Sequence, residues 1–423
     1  MIKDIEKIAI IGLGYVGLPL AIEFAKHFEV IGFDLNKKRI DELIKGFDRT
    51  NEVDSKDLNN SPKLLYTSDS KKLSEAKVYI VTVPTPIDEF NVPNLEPLKS
   101  ASKIIGKHIS SGDTIIYEST VYPGVTEEIC VPILESESSL ILNKDFWVGY
   151  SPERINPGDK EKNLTNITKI TSGSNNDCAL FVDELYNLVV DKTHLAPSIK
   201  VAEAAKVIEN TQRDINIGLI NELSVLFHKL GIDTQAVLDA AGSKWNFLKF
   251  SPGLVGGHCI GVDPFYLTYK AAQLGHQPEL ILAGRRINEN MADFVFDELM
   301  KNMIKNGLVH NKCKVLILGV TFKENCPDVR NTKVINIVKR LRKLSIQCDI
   351  HDPVADIESL EREYDVLTTP DPQYNDYEAV LLAVPHTIFI EKGSKELKKF
   401  LKNEGTFFDL KSSFHINESD WRL

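Results

Sequence analysis

Short apolar runs alternate with helical or polar stretches along the first third of the chain. Lys7-Ile-Ala-Ile-Ile-Gly12 and Val30-Ile-Gly-Phe33 predict strands, and residues 15–28 between them carry helical spacing. Residues 78–83, 114–117 and 146–150 predict further strands, each reached through a helical or polar segment, as in a parallel sheet covered by helices. From Ser198 to Leu230 the pattern becomes one long helix, free of proline and with Gly218 as its single internal glycine. A glycine- and proline-rich segment follows at 251–264, and helical patterns resume to about Gly307.

The last part repeats the first in outline. Lys314-Val-Leu-Ile-Leu-Gly319 matches the opening strand, Cys348-Asp-Ile-His-Asp352 ends on an acid as the strand before Asp34 does, and residues 379–385 echo 79–84. The expected fold is α/β: two Rossmann-like, doubly wound domains joined by a long central helix and a small helical domain. Its divisions fall at 1–197, 198–307 and 308–423.

Composition narrows the class. The 423 residues are 43% hydrophobic and 26% charged, with a net charge of −10, so nucleic acid is not an expected partner. The six cysteines are scattered without a C-x-x-C pair, which argues against a zinc site or a disulfide framework and for reduced thiols in a cytosol. Residues 8–22 are uncharged, but Asp4 and Glu6 precede them and three glycines interrupt them; neither an export signal nor a membrane span is expected. A cytoplasmic location and no bound metal are the resulting expectations.

Gly12-Leu-Gly14-Tyr15-Val16-Gly17 follows a strand, opens a helix and precedes Asp34 at the spacing of a dinucleotide site. Glycine lets the backbone approach a pyrophosphate, the helix start supplies N–H groups, and Asp34 accepts from ribose hydroxyls while opposing a 2′-phosphate. NAD is therefore the expected cofactor. The bland alternative, a glycine turn that only packs helix on sheet, is the better reading at Gly319, where no glycine stands two residues on.

Most cytosolic cysteines are buried hydrophobes. Cys259 departs from that pattern, lying between Gly256-Gly257 and Gly261 with Asp263 close behind, where a substrate carbon can reach a thiol. The long helix carries a polar stripe, Glu203, Lys206, Asn210 and Arg213, that is either a solvated face or subunit contact, or an oxyanion site built on Lys206 and Asn210 at i, i+4. Its apolar positions, Val201, Ala205, Ile208, Ile215, Leu219, Leu223 and Leu226, form a stripe too long for one small domain to cover, which predicts at least a homodimer.

Seven ordered motifs then resemble the UDP-glucose/GDP-mannose 6-dehydrogenase family over nearly the whole chain. They are Gly12-Leu-Gly-Tyr-Val-Gly-Leu-Pro19, Val83-Pro84-Thr85-Pro86, Glu118-Ser-Thr120-Val121, Ser151-Pro-Glu153, Glu203-Ala-Ala-Lys206 with Asn210, Gly256-Gly-His-Cys259 with Asp263, and Gly319-Val-Thr-Phe-Lys323 with Asp328 and Arg330. The resemblance implies a metal-free, four-electron oxidation of a sugar C6 alcohol with two NAD molecules, through a thiohemiacetal and a thioester. By position, Cys259 is then the nucleophile, Lys206 and Asn210 hold the oxyanion, Asp263 and Thr120 place a water, and Glu153 assists proton transfer. Arg39, Val83, Pro84, Thr85, Thr120 and Arg330 join the glycine turn and Asp34 at the cofactor. Glu153, Arg154, Lys206, Asn210, Phe250, Gly256 and Lys323 bind the substrate, with 308–423 as the UDP-sugar domain.

Departures from the glucose-type pattern at Arg154-Ile-Asn156, Val255 and His258 resemble the branch acting on UDP-N-acetylhexosamines, UDP-GlcNAc or UDP-GalNAc, for surface polysaccharide such as capsule or O antigen. Arg154 and Asn156 are the expected acetamido partners; the alternative is that Arg154 pairs with an acid such as Asp159. UDP-glucose, UDP-ManNAc and GDP-mannose remain alternative substrates. A two-electron hydroxyacid dehydrogenase would need neither the Cys259 loop nor a third domain, and a non-catalytic NAD-binding protein would have no physical need of Lys206, Asn210, Cys259 and Asp263 together.

Overall fold

A computed structural model describes residues 2, 5–50, 52–154, 164–257, 259–310 and 312–423. Asn156, Asp159 and His258, three residues of the substrate argument, lie outside the described residues. The chain forms two compact units, 1–209 with 265–276 and 210–264 with 277–423.

In the first unit β1 (Lys7–Ile11), β2 (Glu29–Phe33), β3 (Leu64–Thr67), β4 (Val78–Val81), β5 (Thr114–Tyr117) and β6 (Trp147–Tyr150) form one sheet in the order β3-β2-β1-β4-β5-β6, every pair parallel. The inner strands are continuous apolar runs because helices cover both faces; Ile8, Ile10, Val30, Val78, Ile80 and Ile116 meet Leu18, Ala21 and Phe24 of the helix Gly17–Ala25 in one core. A parallel pair, β7 (Lys169–Thr171) and β8 (Thr193–Leu195), runs on into a segment bonded to the edge strand β6, where Tyr150 N–H donates to the Ser172 carbonyl at 3.1 Å.

The second unit carries β9 (Lys314–Leu318), β10 (Gln347–His351), β11 (Tyr377–Leu382), β12 (Leu401–Asp409) and β13 (Trp421–Arg422), all parallel in the order β10-β9-β11-β12-β13. The strand order reverses between β9 and β11, which is where ligands settle in open α/β sheets.

The helix Ile199–Leu230 forms as the pattern predicts. The Ser198 hydroxyl accepts the Val201 N–H at 3.3 Å at its start. Gly231, at φ 68°, ends it: Ile232 N–H reaches the Phe227 carbonyl and Gly231 N–H the His228 carbonyl. Gly218 in its interior earns its place in packing, since a Cβ there would stand 3.3 Å from the Gly284 backbone of the helix Glu279–Lys305. No helix among the described residues is long and apolar enough to cross a membrane.

Candidate active site

The three glycines of the first turn have separate jobs. Gly12, at φ 96°, donates its N–H to the Phe33 carbonyl at 2.8 Å, which locks the turn to the strand pair. A Cβ on Gly17 would lie 1.8 Å from the Gly12 carbonyl oxygen and 2.4 Å from Thr82 Oγ1, so only glycine lets this helix close on the sheet. A Cβ on Gly14 would meet nothing within 4 Å. The second glycine therefore faces open space, where a pyrophosphate fits. Tyr15 and Val16 follow, half-buried, and Val16 heads the helix with no side-chain cap, leaving the positive helix end to an anion.

Asp34 is half-buried; its carboxylate accepts Leu13 N–H at 2.9 Å and Asn36 N–H at 2.8 Å. Arg39 is buried behind the turn, donating to the Leu13 carbonyl at 2.8 Å and to Asp48 at 2.7 Å, with Nη1 unpartnered among the described residues. It holds the turn from behind, its free donor edge buried. Val83-Pro84-Thr85 is fixed by the segment after β5 and by the helix Asp263–Gln273: Ser119 donates to the Val83 carbonyl, Thr85 to the Thr120 carbonyl, and the Tyr266 hydroxyl to the Thr85 carbonyl. Thr85 and Thr120 remain half-buried and Pro84 exposed. These residues fit NAD.

After β6, the Glu153 side chain is 12% exposed and stands 3.9 Å from the Lys169 ammonium. Arg154 pairs with Glu209: Nη2 lies 2.7 Å from one carboxylate oxygen and Nε donates to the other at 3.2 Å, while Asp159, the acid that its neighbourhood in sequence suggested, lies outside the described residues. Its Nη1 donates to the Thr168 carbonyl at 2.7 Å. Two of its five N–H groups make no hydrogen bond among the described residues.

The polar stripe of the long helix divides. Glu203, Lys206 and Asn210 are buried while Arg213 is exposed, so the solvated reading holds only for Arg213. Glu203 accepts Gly124 N–H at 2.6 Å and Thr126 N–H at 3.0 Å; burial without a cation pushes its carboxyl up to about 7. Lys206 is 6% exposed and makes no hydrogen bond or ion pair among the described residues. A buried ammonium left unspent is poised for an anion that arrives with the reaction.

In the second unit the cysteine loop rests on the segment after β9. A Cβ on Gly256 would lie 2.8 Å from the Asn331 carbonyl, and one on Gly257, at φ 80°, 2.7 Å from the Phe322 ring. Asn331 donates to the Gly257 carbonyl at 3.2 Å, and Asn221 brackets Gly253 with two hydrogen bonds. The Cys259 carbonyl accepts Asp263 N–H at 2.8 Å, and the Asp263 carboxylate accepts the Asn210 amide at 2.6 Å. Asn210, Asp263 and the Cys259 loop are thus brought together. Cys259 is half-buried; burial pushes the thiols of Cys130 and Cys348 up to about 12 and that of Cys178 to about 11, and Cys313 and Cys326 are fully enclosed. Leu254, Gly256, Thr321, Phe322, Lys333 and Val384 line a crevice at the β9/β11 reversal. Lys323 and Phe250 are half-buried, and Arg330 folds onto Asp328 at 2.7 Å.

Sequence reasoning missed Glu209, Asn221 and Lys169. Each is a lone polar residue whose partner lies far along the chain, so local pattern carries no signal for it.

Known proteins share this arrangement. Models of the UDP-glucose/GDP-mannose dehydrogenase family match as an NAD binding domain at 6–190, a central domain at 200–290 and a UDP binding domain at 316–415. The chain is 55% identical to a UDP-N-acetyl-D-glucosamine 6-dehydrogenase of Salmonella typhi, covering 99% of each. It is 54% identical to the enzyme of the same name from Pseudomonas aeruginosa, covering 100% of each. A solved UDP-D-ManNAc dehydrogenase of Pyrococcus horikoshii superposes with a TM-score of 0.89 at 28% identity, over 98% of both chains. The hydroxyacid alternative, which needs no cysteine loop and no third domain, leaves these matches unexplained. The chain belongs to the UDP-glucose/GDP-mannose dehydrogenase family of NAD-dependent oxidoreductases.

Proposed function

We propose that this enzyme oxidises the C6 hydroxyl of a UDP-N-acetylhexosamine, UDP-GlcNAc or UDP-GalNAc, to the carboxylate, with Cys259 as covalent catalyst. The observation that carries the covalent step is the half-buried thiol in a glycine loop, one helical turn before an Asp263 that Asn210 holds at 2.6 Å. NAD, bound at the Gly12–Gly17 turn and Asp34, supplies the hydride acceptor for each oxidation. Cys259 adds to the C6 aldehyde to give a thiohemiacetal, and after the second oxidation C6 stays bonded to Sγ as a thioester. Water placed by Asp263 and Thr120 displaces the sulfur and leaves the carboxylate. Lys206 and Asn210 donate to the oxyanion at C6, and Glu153 takes the proton from the alcohol. Lys323, Phe250 and Gly256 hold the UDP-sugar and Arg330 a cofactor phosphate or a neighbouring subunit.

The N-acetyl preference is supported by the names of the relatives at 55% and 54% identity and by Arg154. Clamped by Glu209 and Thr168, Arg154 offers two fixed N–H groups, and a carbonyl oxygen of an acetamido group suits them. Arg154 is half-buried, so a donor left unpaired there costs toward the lower end of about 1–3 kcal/mol, and sugars with a plain C2 hydroxyl lose roughly tenfold in kcat/KM. A panel of UDP- and GDP-sugars scored by NADH formation tests this. UDP-GlcNAc and UDP-GalNAc should both exceed UDP-glucose and GDP-mannose, and Arg154→Ala should narrow the gap; equal kcat/KM for these four sugars would overturn the preference and leave the cysteine chemistry standing.

We also infer a homodimer or larger assembly working in the cytoplasm on surface-polysaccharide precursors. Val201, Ile208, Leu219 and Leu226 of the long helix are about half exposed, an apolar stripe suited to a second copy. Light scattering at micromolar concentration should return at least twice the chain mass.

A further inference from the structure

Beneath Glu153 lies a cluster of ionisable groups that the reaction scheme leaves unused. Lys169, on β7, is 2% exposed, an expensive place for an ammonium. Its Nζ lies 2.6 Å from a Glu118 oxygen and 5.2 Å from the centre of the Tyr186 ring; the Tyr186 hydroxyl donates to the other Glu118 oxygen. Glu118 and Tyr186 are fully buried. The same ammonium stands 3.9 Å from Glu153, whose own backbone N–H donates to the Glu118 carbonyl at 3.4 Å. Burial pushes the Glu118 carboxyl up, Lys169 pulls it down, and the charge on Glu153 raises it again, so the two carboxylates share one cation.

We propose that Lys169 is a positioning residue of the oxidation: clamped by Glu118 and Tyr186, its ammonium holds the Glu153 carboxylate in place as proton acceptor. The proposal rests on the role given to Glu153 above. Two carboxylates this close repel, and Lys169 lies against both. The same geometry gives the cation two anchors on its far side, the Glu118 oxygen and the Tyr186 ring face, so it cannot swing toward Glu153 and quench it in a tight pair. At 3.9 Å the attraction orients the carboxylate without a direct hydrogen bond between the two. Glu118 and Tyr186 are the ionisable side chains in contact with Lys169 on its far side, from the end of β5 and from the helix Asn176–Tyr186. Arg154, the next residue after Glu153, is turned to Glu209.

The test compares Lys169→Met, Lys169→Arg, Glu118→Gln and Glu153→Gln in the full-length enzyme, reading kcat and KM for UDP-GlcNAc with saturating NAD across pH, with melting temperature alongside. Lys169→Met should move the acid side of the kcat profile up by about one pH unit, a tenfold loss of kcat at the acid end, while KM changes by less than about threefold. Lys169→Arg should restore the profile, and Glu118→Gln should move it the opposite way, because it frees the ammonium for Glu153. Glu118→Gln keeps the proposal testable if Lys169→Met does not fold. An unmoved profile in both Lys169→Met and Glu118→Gln, in an enzyme whose acid limb is lost in Glu153→Gln, overturns the proposal. A wild-type profile in Glu153→Gln instead removes Glu153 from proton transfer, and the Lys169 role with it.

Discussion

The two parallel sheets begin with the same turn and finish it differently. Gly12 N–H bonds the Phe33 carbonyl at 2.8 Å, and Gly319 N–H bonds that of His351 at 3.0 Å. In each, the acid ending the next strand accepts the N–H of the residue after glycine: Leu13 to Asp34 at 2.9 Å, Val320 to Asp352 at 2.6 Å. There the likeness stops. Asp34 is half-exposed, whereas the Asp352 carboxylate is buried, accepting from Thr321, Val354 and Ala355 and meeting the wholly buried His386 at 3.1 Å. His386 occupies the place after Val-Pro that Thr85 holds in the first sheet. Gly14 has become Thr321 and Gly17 has become Glu324. The strand-turn-acid frame is a structural device; a dinucleotide site also needs the open second glycine and an acid left within reach of solvent.

Glycine substitutions should break the comparison most visibly. Gly17→Ala presses a methyl into the Gly12 carbonyl, and Gly319→Ala, at φ 84°, into the Val384 carbonyl at 2.5 Å. Each should cost about 3 kcal/mol or more and show as a lower melting temperature. Gly14→Ala should leave the melting temperature alone and raise KM for NAD roughly tenfold, since its methyl faces only the ligand. A lowered melting temperature in Gly14→Ala with unchanged KM would show that the second glycine is structural too.

The two acids should separate next. Asp34→Asn should raise KM for NAD about tenfold to a hundredfold and narrow the preference over NADP, with little change in stability. Asp352→Asn should leave KM for NAD alone and unfold earlier. Burial alone would raise the Asp352 carboxyl, but His386 and the backbone N–H groups of Val320 and Val354 outweigh it and hold it below its usual value. Its stabilisation is therefore complete above the unfolded value and lost as pH falls through the folded one, so the variant should lose less stability in acid than the wild type does. Chemical denaturation from pH 3 to 7 reads this directly.

How much of this could be read from the chain varies with burial. β1, β2, β4 and β5 declare themselves because both faces are covered and the runs are apolar throughout. β3, an edge strand with half-exposed Leu64 and Tyr66, and the first half of β12, exposed at Asn403 and Glu404, carry no such run. Cys259, Lys206, Asn210 and Asp263 were legible as residue types in unusual company. That Asn210 grips Asp263, or that Lys169 reaches Glu118, follows only from chain segments 53 and 51 residues apart being folded against each other.

Glu203 gives an effect of opposite pH sign to Asp352. Its carboxyl, raised by burial from 4.5 to about 7, contributes stability that is complete below 4.5 and lost as pH rises through 7. The full loss is on the order of 3 kcal/mol. Glu203→Gln should flatten the stability profile between pH 4.5 and 7. A profile as steep as the wild type's would place that titration elsewhere.

The central claim is a covalent, four-electron oxidation at Cys259, and the stoichiometry of a completed reaction tests it most directly. With UDP-GlcNAc limiting and NAD in excess, the enzyme should form two NADH for every UDP-sugar carboxylate, and Cys259→Ser should form no carboxylate at a measurable rate. One NADH per sugar, with free aldehyde as the end product, would contradict the thioester route, as would wild-type carboxylate formation by Cys259→Ser.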